Sequence, residues 1–141
     1  MKRWLLPIAL VLVVTLSVVV VRHRSEKRAQ QEREAGYQSA LRAYSGVLKP
    51  GMTRKDVEEY LRTGNVGFSQ MCCVEMKDFS KYVYDDLTKV GQEDAPWFCS
   101  EKNVYIAFQF TGQPRNATGP GADDSDKLRT ITIYRWLEGC L

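Results

Sequence analysis

The residues best suited to chemistry are four cysteines, Cys72, Cys73, Cys99 and Cys140. A thiolate can pair in a disulfide, attack an electrophile or bind a metal. Neighbouring residues on a strand point to opposite faces, so Cys72 and Cys73 do not share one partner. Three chemistries stay open. One or two disulfides would need an oxidising compartment. Bridging Cys73 to Cys99, which lie 26 residues apart, would contribute roughly 3 kcal/mol by chain entropy. Four cysteines allow three pairings, and the sequence does not choose among them. Free, buried thiols acting as small hydrophobes are the second option. A zinc or redox centre ranks last, because the C-x-x-C spacing is missing. No catalytic, cofactor-binding or metal residue is assigned.

The other candidates are fewer. The chain has one histidine, His23, which excludes Ser-His and Cys-His catalysis from everything after it. Asp85-Asp86 and Asp123-Asp124-Ser125-Asp126 are carboxylate clusters, but they lack calcium-loop spacing and read as solvated loops. Asn116-Ala117-Thr118 is a sequon of a kind that also arises by chance. Tyr105, Tyr134 and Trp136 mark a ring-rich sheet face that would suit a protein partner, although packing against the segment 79–99 explains them as well.

Charge narrows the function classes. Residues 1–36 hold seven Lys/Arg against three Glu, a net of +4. The remaining residues hold thirteen Lys/Arg against fourteen Asp/Glu, a net of −1. The basic balance therefore belongs to the amino-terminal segment, and nucleic-acid binding loses its electrostatic support. About 105 residues remain for one small domain with one core.

Elements must position these residues. Trp4 to Val21 is an eighteen-residue run without a charge, followed by Arg22, His23 and Arg24. Such a helix is about 27 Å long, close to a hydrocarbon core of about 30 Å. The run is longer than a signal-peptide core and lacks an Ala-x-Ala site, so an uncleaved anchor is expected, with a cleaved signal peptide as the alternative. Residues 1–21 then form a single-pass transmembrane signal-anchor in the lipid bilayer. Arg22, His23 and Arg24 contact headgroups, and residues 22–36 form a polar helical stalk. Counting Lys and Arg at the flanks puts the domain in the cytoplasm, whereas a short basic amino end before an apolar run is also how an exported signal anchor begins, so charge alone does not choose the side.

Residues 37–141 read as a small α+β domain. Tyr37, Leu41, Tyr44 and Leu48 recur at helical spacing, and Lys49-Pro50-Gly51 ends that helix. Thr53 and Asp56 form a capping-box pattern opening a second helix, buried through Val57, Tyr60 and Leu61, with Gly64 as its stop. Strands are expected at Val66–Val74, Asn103–Phe110 and Leu128–Trp136. The fold class is thus an N-terminal transmembrane helix and a helical hairpin packed on a three-stranded antiparallel sheet. The segment 79–99 has no clear assignment. In this meander all four cysteines fall at one edge of the sheet, with Met71, Trp97, Phe98, Trp136 and Leu137 beside them.

The stretch Leu48-Lys49-Pro50-Gly51-Met52-Thr53-Arg54-Lys55-Asp56-Val57-Glu58-Glu59-Tyr60-Leu61 resembles the opening motif of the SmpA/OmlA (BamE-like) proteins. There a Gly-Met-Thr turn opens a helix, and two helices precede a three-stranded sheet. The resemblance implies a bacterial envelope protein whose domain lies outside the cytoplasmic membrane. It also implies a binding module rather than an enzyme, akin to accessory subunits of outer-membrane protein assembly. The family's lipoprotein cysteine is absent, and its Gly-x-Pro after the second helix is here Thr63-Gly64-Asn65. The expected function is a non-enzymatic binding or scaffold module without cofactor, on the extracytoplasmic side of the inner membrane, with an unidentified protein partner. The competing function is a thiol-based redox or metal-binding protein built on the four cysteines.

Overall fold

The computed structural model describes residues 5–72, 83–112 and 121–141, with the side chains described from residue 15 onward. Cys73, part of the segment 79–99 and the Asn116 sequon lie outside the described residues. Two helices and four strands follow in order: α1 (Leu5–Val47), α2 (Arg54–Thr63), β1 (Ser69–Met71), β2 (Asp85–Glu93), β3 (Glu101–Thr111) and β4 (Lys127–Glu138). The chain divides into two compact units, Met1–Gly36 and Tyr37–Leu141.

The expected transmembrane anchor is overturned. Among the described residues no helix is long and apolar enough to cross a membrane. α1 starts at Leu5 and carries the apolar run directly into Arg22, His23 and Arg24. α1 then continues without a break through good helix formers to Val47, so the stalk and the first domain helix are one element. The single-pass, signal-anchor and inner-membrane readings fall with the anchor.

The expected three-stranded sheet is also corrected. The sheet is a four-stranded antiparallel meander in the order β1-β2-β3-β4. The additional strand is β2, which lies inside the unassigned segment. Its first four residues, Asp85 to Thr88, are all buried, so period-two alternation is missing and Asp85-Asp86 mimics a loop. β1 is short, three residues within the expected Val66–Val74.

The turn between the two helices forms for local reasons. Gly51 takes φ +94°, which a side chain disfavours, and turns the chain after Pro50. Thr53 caps α2: its Oγ1 accepts from the Asp56 amide while Asp56 accepts from the Thr53 amide. The carboxyl of Asp56 is held below its usual range, chiefly by its hydrogen bond from Thr53. Replacing Thr53 with Ala is expected to cost about 1 kcal/mol in urea unfolding. A midpoint unchanged within error would show that tertiary contacts alone hold the turn.

Val57 and Leu61 of α2 join Leu48, Val83, Leu128 and the β3 side chains Ile106, Phe108 and Phe110 in one core. The ring of Tyr44 meets Phe108 edge to face at 5.3 Å. Tyr60, expected to be buried, is exposed on the outer side of α2.

Candidate functional site

Sheet direction decides where the sequence candidates meet. Met71 pairs with Asp85, Asp86 with Phe108, and Phe108 with Ile131. The end of β1 therefore lies beside the start of β2, the end of β3 and the start of β4. Cys72, next after β1, sits at that end. Cys99 and Cys140 sit at the other, where Glu101 pairs with Glu138. The structure joins Cys99 to Cys140 in a disulfide. Cys72 is also disulfide-bonded, but it stands apart from that pair. The inserted strand reverses the chain once more, and this separates Cys72 and Met71 from the aromatic residues.

The disulfide end is an aromatic platform. Trp97 and Phe98 occupy the connection between β2 and β3, with their rings edge to face at 5.8 Å. Trp97 is 91% exposed, and Phe98, Trp136, Leu137 and Leu141 are exposed beside the same bridge. Backbone bonds hold the platform: Ser100 N–H donates to the Glu138 carbonyl at 3.0 Å, and Leu141 N–H to the Phe98 carbonyl at 2.9 Å. Gly139 takes φ +59°, and a Cβ there would lie 2.2 Å from Ser100 Oγ, so only glycine passes under this corner.

Tyr105, Tyr134 and Trp136 come together as neighbours on one face. Tyr105 and Tyr134 are directly opposed across β3 and β4, and opposed residues share a face. The Tyr134 and Trp136 rings lie 5.7 Å apart. Tyr105 Oη donates to Glu138 Oε1 at 3.1 Å, and its pKa is raised by burial and by that carboxylate. On the opposite face Glu93 takes Lys102 at 2.8 Å and Arg135 at 3.1 Å. Burial raises the pKa of Glu93, but those two cations outweigh it and hold the carboxyl low. Arg22, His23 and Arg24 are exposed on α1.

A second constellation escaped the sequence reading. Arg54, the first residue of α2, is buried to 1% exposure. Its Nη1 donates to Asp86, its Nη2 to the Tyr84 carbonyl, and its Nε lies 3.4 Å from Asp126 Oδ2. Its guanidinium also stacks 3.9 Å above the centre of the Phe110 ring. Asp126 takes the Asp123 amide at 2.8 Å, and Asp85 the Phe110 amide at 3.2 Å. Asp85 and Asp86 are buried, which corrects the solvated-loop reading of the first acidic cluster; in the second, Asp123, Asp124 and Ser125 are exposed as expected and only Asp126 is buried. An Arg one residue after a helix cap, with two acidic pairs downstream, was the available signal; only the fold shows that they meet.

Burial pushes the Asp86 carboxyl up to about 7, against the lowering effect of Arg54 and with further upward push from Glu58 and Asp85. Its Oδ2 has no hydrogen-bond partner among the described residues and can carry the proton. A carboxyl raised above its unfolded value favours the fold while protonated. Its contribution is therefore complete below about pH 4 and lost as pH rises to about 7. Each unit in that window costs up to about 1.4 kcal/mol. Urea unfolding across this range is expected to show the loss in the wild type and not in Asp86→Asn. Parallel profiles for the two proteins would refute it.

The fold and these residues define an α+β meander module with a disulfide-fixed aromatic end and an ion cluster buried at its other end. Comparison with protein-family models, with curated proteins and with solved structures found no match.

Proposed function

We propose that this chain is a non-enzymatic protein-binding module whose contact surface is the aromatic platform around Cys99–Cys140. The observation that carries this reading is Trp97, an indole left 91% exposed on a loop held by a disulfide and two strand ends. Exposed large aromatics in a cluster mark contact surfaces, and tryptophan and tyrosine are over-represented among residues that dominate binding energy. A fixed platform also loses little conformational entropy on association. The likeness of Leu48–Leu61 to the SmpA/OmlA motif points the same way, toward accessory binding modules. The competing four-cysteine centre is disfavoured by geometry, since Cys72 lies at the opposite end of the sheet from Cys99 and Cys140.

The test is selection of peptide ligands from a displayed random library against the whole oxidised protein. Ligands are expected to lose at least about 2 kcal/mol of affinity with Trp97→Ala, while the unfolding midpoint of the unliganded protein stays in place. Ligands indifferent to Trp97, Phe98 and Trp136 together, or no ligands at all, would overturn the reading.

A further inference from the structure

The chain has four cysteines. Cys99 and Cys140 hold each other, and Cys72 is itself disulfide-bonded. The one cysteine left in the chain to hold it is its neighbour, Cys73. Within a strand such a pair could not form, because adjacent side chains point to opposite faces. Sequence alone predicts a strand through Val74, yet β1 stops at Met71 and the chain bends at Cys72. The strand thus ends where pairing between neighbours requires it to end. Cys72 is also exposed, whereas Cys99 is buried.

We infer that Cys72 and Cys73 form a disulfide between adjacent residues that opens and closes reversibly by exchange with a dithiol, while Cys99–Cys140 stays shut. This redox site is separate from the aromatic platform, and neither reading depends on the other. A bond between neighbours closes a small ring around one peptide unit, and the ring must distort that unit from its planar trans form. Reduction releases the distortion, and strained, exposed disulfides are the more oxidising and labile ones. The Cys99–Cys140 bridge has the opposite setting. Pairing of Glu101 with Glu138 and the bond from Leu141 N–H to the Phe98 carbonyl keep its two sulfurs close after reduction, so it recloses. The dithiol is the reductant in the exchange. One of its thiolates attacks a sulfur of the ring, the S–S bond breaks, and the other ring sulfur leaves as a thiolate that takes up a proton. The second thiol of the reductant then attacks the mixed disulfide and releases the first ring sulfur. Two electrons and two protons pass to the protein, and the reductant departs as a disulfide.

The test titrates the whole oxidised protein with dithiothreitol, blocks free thiols with iodoacetamide and digests with trypsin. The tryptic peptide 63–77 holds Cys72 and Cys73 and no other cysteine, while Cys99 falls in 90–102 and Cys140 in 136–141. Before reduction, mass spectrometry should find 63–77 alone, unalkylated and two hydrogens lighter than its reduced form, with 90–102 joined to 136–141. Peptide 63–77 should then take two alkyl groups at a ratio of reduced to oxidised dithiothreitol at least about tenfold below the one that opens the other bridge. The variant Cys72→Ser/Cys73→Ser should lose this early step and keep the urea midpoint of the oxidised protein, since a bond that encloses no intervening residue restrains the unfolded chain little. Peptide 63–77 alkylated before reduction, or joined to 90–102, to 136–141 or to a second copy, overturns the pairing. Two bridges that open together, or a variant with a clearly lowered midpoint, overturn the exchange site and leave a structural staple.

Discussion

Replacing Cys99 and Cys140 together with Ser lowers the free energy of unfolding by about 4 kcal/mol. The bridge spans 41 residues, and closing a loop of that length in the unfolded chain accounts for this amount in the chain-entropy model. The pair is exchanged together because a single variant leaves an unpaired thiol free for side reactions. The native state loses something local as well. The Trp97-Phe98 loop and the tail after Glu138 then keep the Ser100 and Leu141 backbone bonds, the Cys99 amide bond to the Pro96 carbonyl and the Ser100 hydroxyl bond to the Glu138 carbonyl, but no covalent tie. Urea unfolding under oxidising conditions reads the global term, and amide exchange over residues 97–100 reads the local one. A loss below about 1 kcal/mol would mean that the unfolded chain gains little freedom and that the platform is set by sheet pairing. In that case the proposed preorganisation of Trp97 would lose its basis.

Replacing Arg54 with Met costs about 3–5 kcal/mol, because it strands buried carboxylates without their cation. Asp86 loses its charged partner, the Tyr84 carbonyl loses a donor, and Phe110 loses the stacked guanidinium. The sign of the pH dependence identifies the cause. With the cation gone, protonation of Asp86 relieves more of the penalty, so Arg54→Met should recover toward wild type as pH falls toward 4. Adding Asp86→Leu should also restore part of the loss at pH 8, since an ion pair exchanged whole for apolar groups is far less costly than one broken. A loss that neither acid pH nor the second substitution reduces would mean that Arg54 acts through its packed stem alone.

The local features of this fold were legible because their causes are local. The Thr53–Asp56 box, the Pro50-Gly51 turn and the alternating face of Val104, Ile106, Phe108 and Phe110 each depend on residues a few positions apart. β2 was hidden because its signals are set by distant partners. Asp86 is accommodated in a buried strand start beside Arg54, 32 residues away, and Asp85 by the Phe110 amide, 25 residues away. Without that knowledge, two aspartates followed later by Lys89, Gly91 and Gln92 read as solvent-facing loop. Tyr60 was misassigned for a related reason: helical spacing places it next to the apolar stripe, and only the packing shows where the stripe ends. The apolar run at the amino end misled in the opposite direction. Its composition satisfies the length rule for a span, yet no described helix is apolar enough to cross a membrane.

By itself the sequence determined the α+β class, the turn and cap that open α2, the two long strands and the shared face of Tyr105, Tyr134 and Trp136. These follow from periodicity, capping and turn chemistry, which act over a few residues. Tertiary structure alone decided which cysteines meet and which end of the sheet carries the aromatic platform. Each strand in a meander reverses the chain, so one unrecognised strand exchanges the two ends for everything before it. Cys72 moved away from Cys99 and Cys140 by that parity, and one aspartate from each acidic cluster, Asp86 and Asp126, became a partner of the buried Arg54.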